Sequence, residues 1–383
     1  MDLKRQTCSL SVIIPVHNAA QFLPRCLDSV LAAQGVQFEV ITVNDGSTDE
    51  SGKILSDYAS RYPTLRVATF DINQGVAAAR NRGLDLATGD FILFVDADDR
   101  LLPGAVPRLL DAIMPQAPDI SMFLHQTIQE NGKPEVRDNL PAFLSSRLES
   151  GAENSISPVG ETRRFFDLKN PSERRVSFEL AVGNLWAWNG FFRREALGDL
   201  RFAPLGRCED LLFGAQAYCR AQSMLFLPLV GYEYVRRPGS ASSRDTFKNC
   251  VSAIEAAAGL FETIRLSGFL DQIEDLLFRK IRTLAFGTTL GPLLRLPACE
   301  RKAAWDCWFR RFKPVFQMLE MNGLGRHALI RFCLNRESRF LVRLLLRLPV
   351  LVKAKILNVP GMRRWWLSAR RRGTEHRGKE CAA

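Results

Sequence analysis

Several chemistries find little to work with in this sequence. Its nine cysteines, at positions 8, 26, 208, 219, 250, 299, 307, 333 and 381, form no CxxC pair and no Cys/His spacing suited to zinc. Their odd number leaves one over in any disulfide scheme, and we read all nine as reduced thiols in a cytoplasmic protein. There is no secretory h-region, because Thr7-Cys8-Ser9 runs straight into a short strand-like segment ending at Pro15. No run reaches the ~20 apolar residues that a bilayer-spanning helix needs. The most apolar stretch, Phe340 to Val352, is interrupted by Arg343 and Arg347. Internal repeats and low-complexity tracts are also missing.

What is present is ordinary globular composition, with 46% hydrophobic and 24% charged residues in 383, which excludes disordered and collagen-like classes. The net charge of +11 is unevenly placed. From Arg331 onward there are 14 Lys/Arg against 3 Asp/Glu, so the first 330 residues are neutral overall. Basicity is therefore a property of the tail, and no nucleic-acid partner is expected, since no recognised binding motif accompanies the charge.

Leu10 to Pro15, Phe38 to Val43, Leu65 to Phe70 and Phe91 to Val95 are short apolar runs rich in β-branched or aromatic residues, the pattern of buried parallel strands. Helix-period stretches at about 21–33, 50–61 and 75–87 lie between them, and Thr48-Asp49-Glu50 offers cap chemistry to the second. This alternation predicts an α/β, Rossmann-like, mostly parallel sheet flanked by helices. A fifth strand is expected at Asp119 to Leu124. Residues 130–175 read as polar loop, Trp186 to Phe192 as a new packed segment, 209–221 as a helix, and the chain after Asp245 as helical.

In an open parallel sheet, ligands bind beyond the carboxyl ends of the strands. Those exits are polar throughout: His17-Asn18, Asn44-Asp45-Gly46-Ser47, Asp71-Ile72-Asn73-Gln74-Gly75 and Asp96-Ala97-Asp98-Asp99. No GxGxxG follows the first strand, which argues against a dinucleotide oxidoreductase. If the chain stays extended, Asp96 and Asp98 face the same way. Carboxylates that close call for a cation, and Mg²⁺ or Mn²⁺ bound through carboxylates plus phosphates would supply it. The alternative at this point is an Asp-rich turn before the next helix.

Together these segments pass from chemistry to resemblance. Ser11 to Asn18, Val43-Asn44-Asp45-Gly46-Ser47-Thr48-Asp49, Asn73-Gln74-Gly75 with Ala79-Arg80-Asn81-Arg82-Gly83, and Phe94 to Asp99 resemble, in order and spacing, the family 2 glycosyltransferases of GT-A fold, bacterial surface-polysaccharide type. The likeness covers about 9–115. It implies an inverting, metal-dependent transfer from a nucleotide-diphosphate sugar, most often a UDP-sugar. It further implies that Pro15, His17 and Asp45 border base and ribose, Arg80 lies near the nucleotide, Asp96 contacts ribose and Asp98 ligates Mn²⁺ or Mg²⁺. His17 stands where the family more often has an aromatic or small residue.

Glu209-Asp210, preceded by Trp188-Asn189-Gly190-Phe191-Phe192-Arg193-Arg194-Glu195, is similar to the family's Glu-Asp motif, whose aspartate is the catalytic base. The competing reading is two acids that simply favour a helix N-terminus. Trp186 and Trp188 suit either a sugar face or a core. Tyr232 to Ser240 resembles a segment that closes the domain in bacterial polysaccharide members, with Arg236 or Arg237 placed to meet a diphosphate.

The sequence thus predicts a GT-A domain over 1–245, with a donor half to about 125 and an acceptor half from about 126. A helical region follows over 246–337, then a basic amphipathic tail over 338–383. In that tail Arg339, Arg343 and Arg347 recur every four residues among apolar neighbours, with Trp365-Trp366 and Arg370-Arg371-Arg372 beyond. Such a segment suits an anionic membrane surface, and a location at the inner face of the cell membrane with a glycan or lipid-linked acceptor is expected. Two rivals stand beside this reading. One is a non-catalytic nucleotide-sugar-binding or membrane scaffold of the same fold. The other is a nucleotidyltransferase, which would need a glycine-rich basic loop where His17-Asn18-Ala19-Ala20 stands.

Overall fold

A strand covered on both faces has no polar side to show, and the first strand of this chain, β1 (Ser9–Val16), is buried at every position after Ser9. The computed structural model describes residues 9–33, 35–128, 134–136, 163–181, 186–236, 246–273, 276, 277, 293 and 296–321. After β1 come α1 (Leu23–Leu31), β2 (Gln37–Asp45), α2 (Ser51–Arg61), β3 (Leu65–Phe70), α3 (Val76–Leu86) and β4 (Phe91–Phe94). These agree with the expected alternation to within a few residues.

The second half proceeds through β5 (Arg100–Leu101), α4 (Ala105–Ile113), β6 (Ile120–Ile128), β7 (Pro134–Val136), β8 (Arg164–Asp167) and α5 (Pro171–Ala181). A 3-10 turn at Ala187–Asn189 then leads into β9 (Gly190–Arg193), α6 (Arg194–Leu197), α7 (Glu209–Arg220), β10 (Ser223–Val235), α8 (Phe247–Leu266) and α9 (Ala298–Met321). Within 130–175, expected as loop, the described residues include β7, β8 and the start of α5.

One sheet runs in the order β3-β2-β1-β4-β9-β6-β10-β5, with β7 on β6 and β8 on β10. The block from β3 to β4 is parallel, as the apolar runs predicted. Beyond it β9 enters antiparallel to both β4 and β6, so the sheet as a whole is mixed. β9 is four residues, Gly-Phe-Phe-Arg, and it places Phe191 and Phe192 in the core between the two halves. Asp119 pins this junction: its carboxylate accepts the Gln222 and Ser223 N–H groups at 2.6 and 3.2 Å and pairs with Arg193.

Helix α3 rides unusually close to the sheet. A Cβ on Gly83 would lie 2.2 Å from Ile13 Cγ2, so only glycine fits there, although glycine inside a helix costs about 1 kcal/mol against alanine. The close approach sets the height of the neighbouring Arg80 above the strands.

The chain divides into two compact units, Met1–Arg244 with Glu262–Ile273, and Asp245–Phe261 with Glu274–Ala383. In the second, Trp305, Trp308 and Phe312 of α9 are buried, and Arg311 pairs with Glu255 of α8 at 2.5 Å. The expected basic tail lies outside the described residues. Among the described residues no helix is long and apolar enough to cross a membrane.

Candidate active site

The polar strand exits turn out to serve two purposes. Part of their polarity laces the rim to itself. Asn18, held in the left-handed region at φ 48°, takes the Thr48 N–H on its side-chain oxygen at 2.8 Å and donates its own N–H to Ser47 Oγ at 3.1 Å. Asp49 accepts from Ala20 and Ser51 N–H at 3.0 Å each, which joins the β1 exit to the start of α2 and holds its carboxyl below the usual range despite opposing burial. The expected cap chemistry before α2 is therefore supplied by Asp49.

Asp45 is buried, and both its oxygens are engaged, taking Gln74 N–H at 2.6 Å and Gly75 N–H at 2.9 Å. It holds the β3 exit against the β2 exit with charge-assisted bonds. Gly46 makes that closeness possible: at φ +60° its backbone passes so near Ile72 and Asn73 that a Cβ would sit 2.5 Å from their main-chain atoms. His17 is exposed, and its Nδ1–H donates to the Asp45 carbonyl at 2.7 Å. Pro15 lies buried one residue before the end of β1, opposite Val43. Pro15, His17 and Asp45 thus gather at the β1/β2 exits.

At the β4 exit the extended geometry expected for Asp96-Ala97-Asp98 gives way to a turn. The strand ends at Phe94, and the Asp99 N–H donates to the Asp96 carbonyl at 3.0 Å. Tyr232 of β10 organises this turn by accepting the Asp96 N–H at 3.1 Å and donating its hydroxyl to Asp99 at 2.8 Å. The other Asp99 oxygen takes the Val235 N–H at 2.8 Å. Burial, then the charges of Asp98 and Asp96, push the Asp99 carboxyl well above the ordinary range. Asp98 is half-buried, and its main-chain carbonyl accepts from Arg25 at 3.1 Å. Among the described residues no three His, Cys, Asp or Glu side chains converge as a metal cage. The β4 exit offers carboxylate oxygen alone, which fits Mg²⁺ or Mn²⁺ taking its remaining ligands from phosphate and water.

Glu209 and Asp210 reach the same place by another route. Cys208, left-handed at φ 62°, turns the chain into α7 so that Glu209 and Asp210 form its first turn. Arg80 of α3, only 3% exposed, donates to Glu209 at 2.6 Å through one terminal nitrogen and to Asp96 at 2.7 Å through the other. Its guanidinium also lies 5.3 Å from the centre of the Phe202 ring. Residues 16 and 129 positions away in sequence are brought together on one cation. Asp210, half-buried beside them, is pushed up to about 7, first by burial and then by the Glu209 charge, with Arg80 pulling the other way. A carboxyl poised near neutrality can take a proton and release it again.

Trp188 settles into the core, stacked on Tyr232 at 4.8 Å and Tyr234 at 5.8 Å, with Trp186 parallel to it at 6.4 Å. The Arg236 N–H donates to the Ile128 carbonyl at 3.0 Å, continuing the β6–β10 pairing, and Arg237 lies outside the described residues. Sequence reasoning missed the work of Tyr232 and Asn81. A buried tyrosine hydroxyl needs a partner, which was the available signal for the first.

Residues 11–200 match the model of glycosyl transferase family 2. Through this domain the chain belongs to that family. An uncharacterized glycosyltransferase of Escherichia coli K12, YibD, is 38% identical over 119 residues, covering 31% of this chain and 34% of its own length. Another from Bacillus subtilis 168, EpsJ, is 30% identical over 241 residues, covering 60% of this chain and 62% of its own. The chain therefore spans a third to under two thirds of these relatives. A Staphylococcus aureus TarS 1–349 structure in complex with UDP-GlcNAc superposes with a TM-score of 0.63 at 21% identity, covering 95% of this chain and 92% of that one. The family 2 domain has the expected GT-A fold, and Arg80, Asp96 and Asp98 all lie within residues 11–200, with Glu209 and Asp210 just after.

Proposed function

We propose that this chain is an inverting, divalent-metal-dependent glycosyltransferase. In this reading it moves a hexosyl or N-acetylhexosaminyl group from a nucleotide-diphosphate sugar, a UDP-sugar first, to a glycan or lipid-linked acceptor in cell-surface polysaccharide biosynthesis. The carrying observation is the meeting of the β4-exit carboxylate Asp96 with the Glu209-Asp210 pair on Arg80. It brings a donor-type rim within the family 2 domain together with a candidate base just beyond the matched residues, and the UDP-GlcNAc of the TarS complex is a donor of the proposed class.

The proposed chemistry is a single displacement. The acceptor hydroxyl oxygen forms a bond to the anomeric carbon as the bond from that carbon to the diphosphate oxygen breaks, the electron pair leaving with the diphosphate. Asp210 takes the hydroxyl proton. General-base help of this kind is worth roughly 10²–10⁴-fold, or about 3–5 kcal/mol of barrier. Attack opposite the leaving group turns an α-linked donor into a β-linkage. Pro15, His17 and Asp45 would border base and ribose, and Asp96 the ribose. Asp98 would hold Mn²⁺ or Mg²⁺, whose charge when bound offsets that developing on the diphosphate.

On sequence grounds we extend the reading to the tail, which would hold the enzyme at the anionic inner face of the membrane, near a lipid-linked acceptor. The test of the whole reading is turnover with UDP-, GDP- and dTDP-sugars, with Mn²⁺, with Mg²⁺ and with chelator. Transfer or slow donor hydrolysis with one nucleotide class, abolished by chelator, is the expected result. A protein that binds nucleotide sugars and never turns them over is a scaffold, and the reading fails.

A further inference from the structure

We infer that Arg80 is a positioning residue: by gripping Asp96 with one end of its guanidinium and Glu209 with the other, it fixes where Asp210 stands relative to the donor rim. The inference rests on the proposed reading of Asp210 as the base. It differs from a direct role for Arg80 on the nucleotide, because both terminal nitrogens are already committed to protein carboxylates. Arg80 would act on the donor through Asp96.

Three features make this a built arrangement. First, Arg80 is buried at 3% exposure, and its Nε has no hydrogen-bond partner, so the side chain is held by its two ends. Second, α3 is locked at its height by the Gly83 contact with Ile13. Third, the same helix grips the approach to α7 twice more. Asn81 exchanges two hydrogen bonds with the Phe202 main chain at 2.7 and 3.0 Å, and Asp85 pairs with Arg201 at 2.8 Å. Three side chains of one helix therefore carry the segment from Arg201 to Glu209. The planar fork of arginine reaches two carboxylates at fixed angles, which the single ammonium of lysine does not reproduce.

The electrostatic consequence has a definite sign. Asp210 is faced by Cys208 and Glu209 from its own element, by Arg80 from α3 and by Asp96 from the β4 exit. Glu209 and Asp96 raise its carboxyl and Arg80 lowers it. Neutralising Arg80 must make Asp210 harder to ionise, and neutralising Glu209 must make it easier.

The deciding experiment compares pH–rate profiles for wild type, Arg80→Gln, Arg80→Lys and Glu209→Gln. It uses whichever nucleotide sugar wild type turns over, with donor KM and the thermal transition measured alongside. The inference expects the acid limb of kcat to move to higher pH in Arg80→Gln by at least about one unit, with activity returning in alkaline buffer. It expects the limb to move to lower pH in Glu209→Gln. In Arg80→Lys the limb stays near wild type while kcat falls, because the charge is kept and the fork is lost. If Arg80→Gln does not fold, the limbs of Arg80→Lys and Glu209→Gln still decide. Equal loss at every pH in all variants, or a raised donor KM with kcat intact in Arg80→Gln, overturns the inference and puts Arg80 on packing or on the nucleotide. A wild-type profile without an acid limb is a separate failure, since it removes Asp210 as the base.

Discussion

Asn81 holds Phe202 by both ends of its amide, donating to the Phe202 carbonyl at 3.0 Å and accepting the Phe202 N–H at 2.7 Å. An amide paired with a peptide in this way copies a two-bond β pairing between a helix and a loop. The loop is the one that leads into Glu209 and Asp210, so a residue with no evident chemistry of its own governs the placement of residues proposed to have it.

Replacing Asn81 with alanine leaves a part-buried main-chain N–H and C=O without partners, at a cost of about 1–3 kcal/mol. The thermal midpoint should drop by about 2–4 °C for each kcal/mol lost, and transfer should fall with donor affinity unchanged. Arg201→Ala, which breaks an exposed ion pair between the same loop and Asp85 of the helix, should cost under about 1 kcal/mol. Differential scanning fluorimetry with isothermal titration of donor checks both, and equal effects from the two variants would contradict the clamp.

Asp210 makes a prediction about stability as well as rate. Its folded-state value of about 7 exceeds the ordinary 3.8, so the folded protein binds this proton more tightly than the unfolded chain. The resulting stabilisation is full below about pH 4 and is lost as pH rises from there to 7. Asp210→Asn removes the burden of an ionised carboxylate, and its thermal midpoint should exceed that of wild type at pH 8, the gap closing toward pH 5. A gap independent of pH would contradict the raised value.

The parallel half of the sheet was legible in the sequence because β1, β2 and β4 are continuous apolar runs that only a doubly covered strand requires. The strands β7, β8 and β9 were not, because three or four residues display no period and, unlike β4, none of the three is a continuous apolar run. Of the two geometries open for Asp96-Ala97-Asp98, the turn is the one adopted, because a local bond from the Asp99 N–H to the Asp96 carbonyl replaces extension there. Individual candidate residues could be picked out by type and order. Their joining could not, since nothing in a single sequence tells Arg80 that its partner lies 129 residues on.

The tail carries a prediction from sequence alone. Deleting residues 338–383 removes 12 of the 14 basic residues counted after position 330. Catalysis on a soluble acceptor should persist, while flotation with anionic liposomes should be lost. For the intact protein, flotation should weaken steeply with salt as the Debye length shrinks from about 10 Å at 0.1 M to about 3 Å at 1 M. Equal flotation of both forms would assign the tail another role.

The most direct measurement separates binding from transfer at the two acids proposed for different work. Donor affinity, by calorimetry of UDP with Mn²⁺, and transfer rate are measured for wild type, Asp98→Ala and Asp210→Asn. The account predicts that Asp98→Ala loses metal-dependent binding, whereas Asp210→Asn binds as wild type and transfers at least about 10²-fold more slowly. Unchanged binding in Asp98→Ala, or transfer at the wild-type rate in Asp210→Asn, would contradict it.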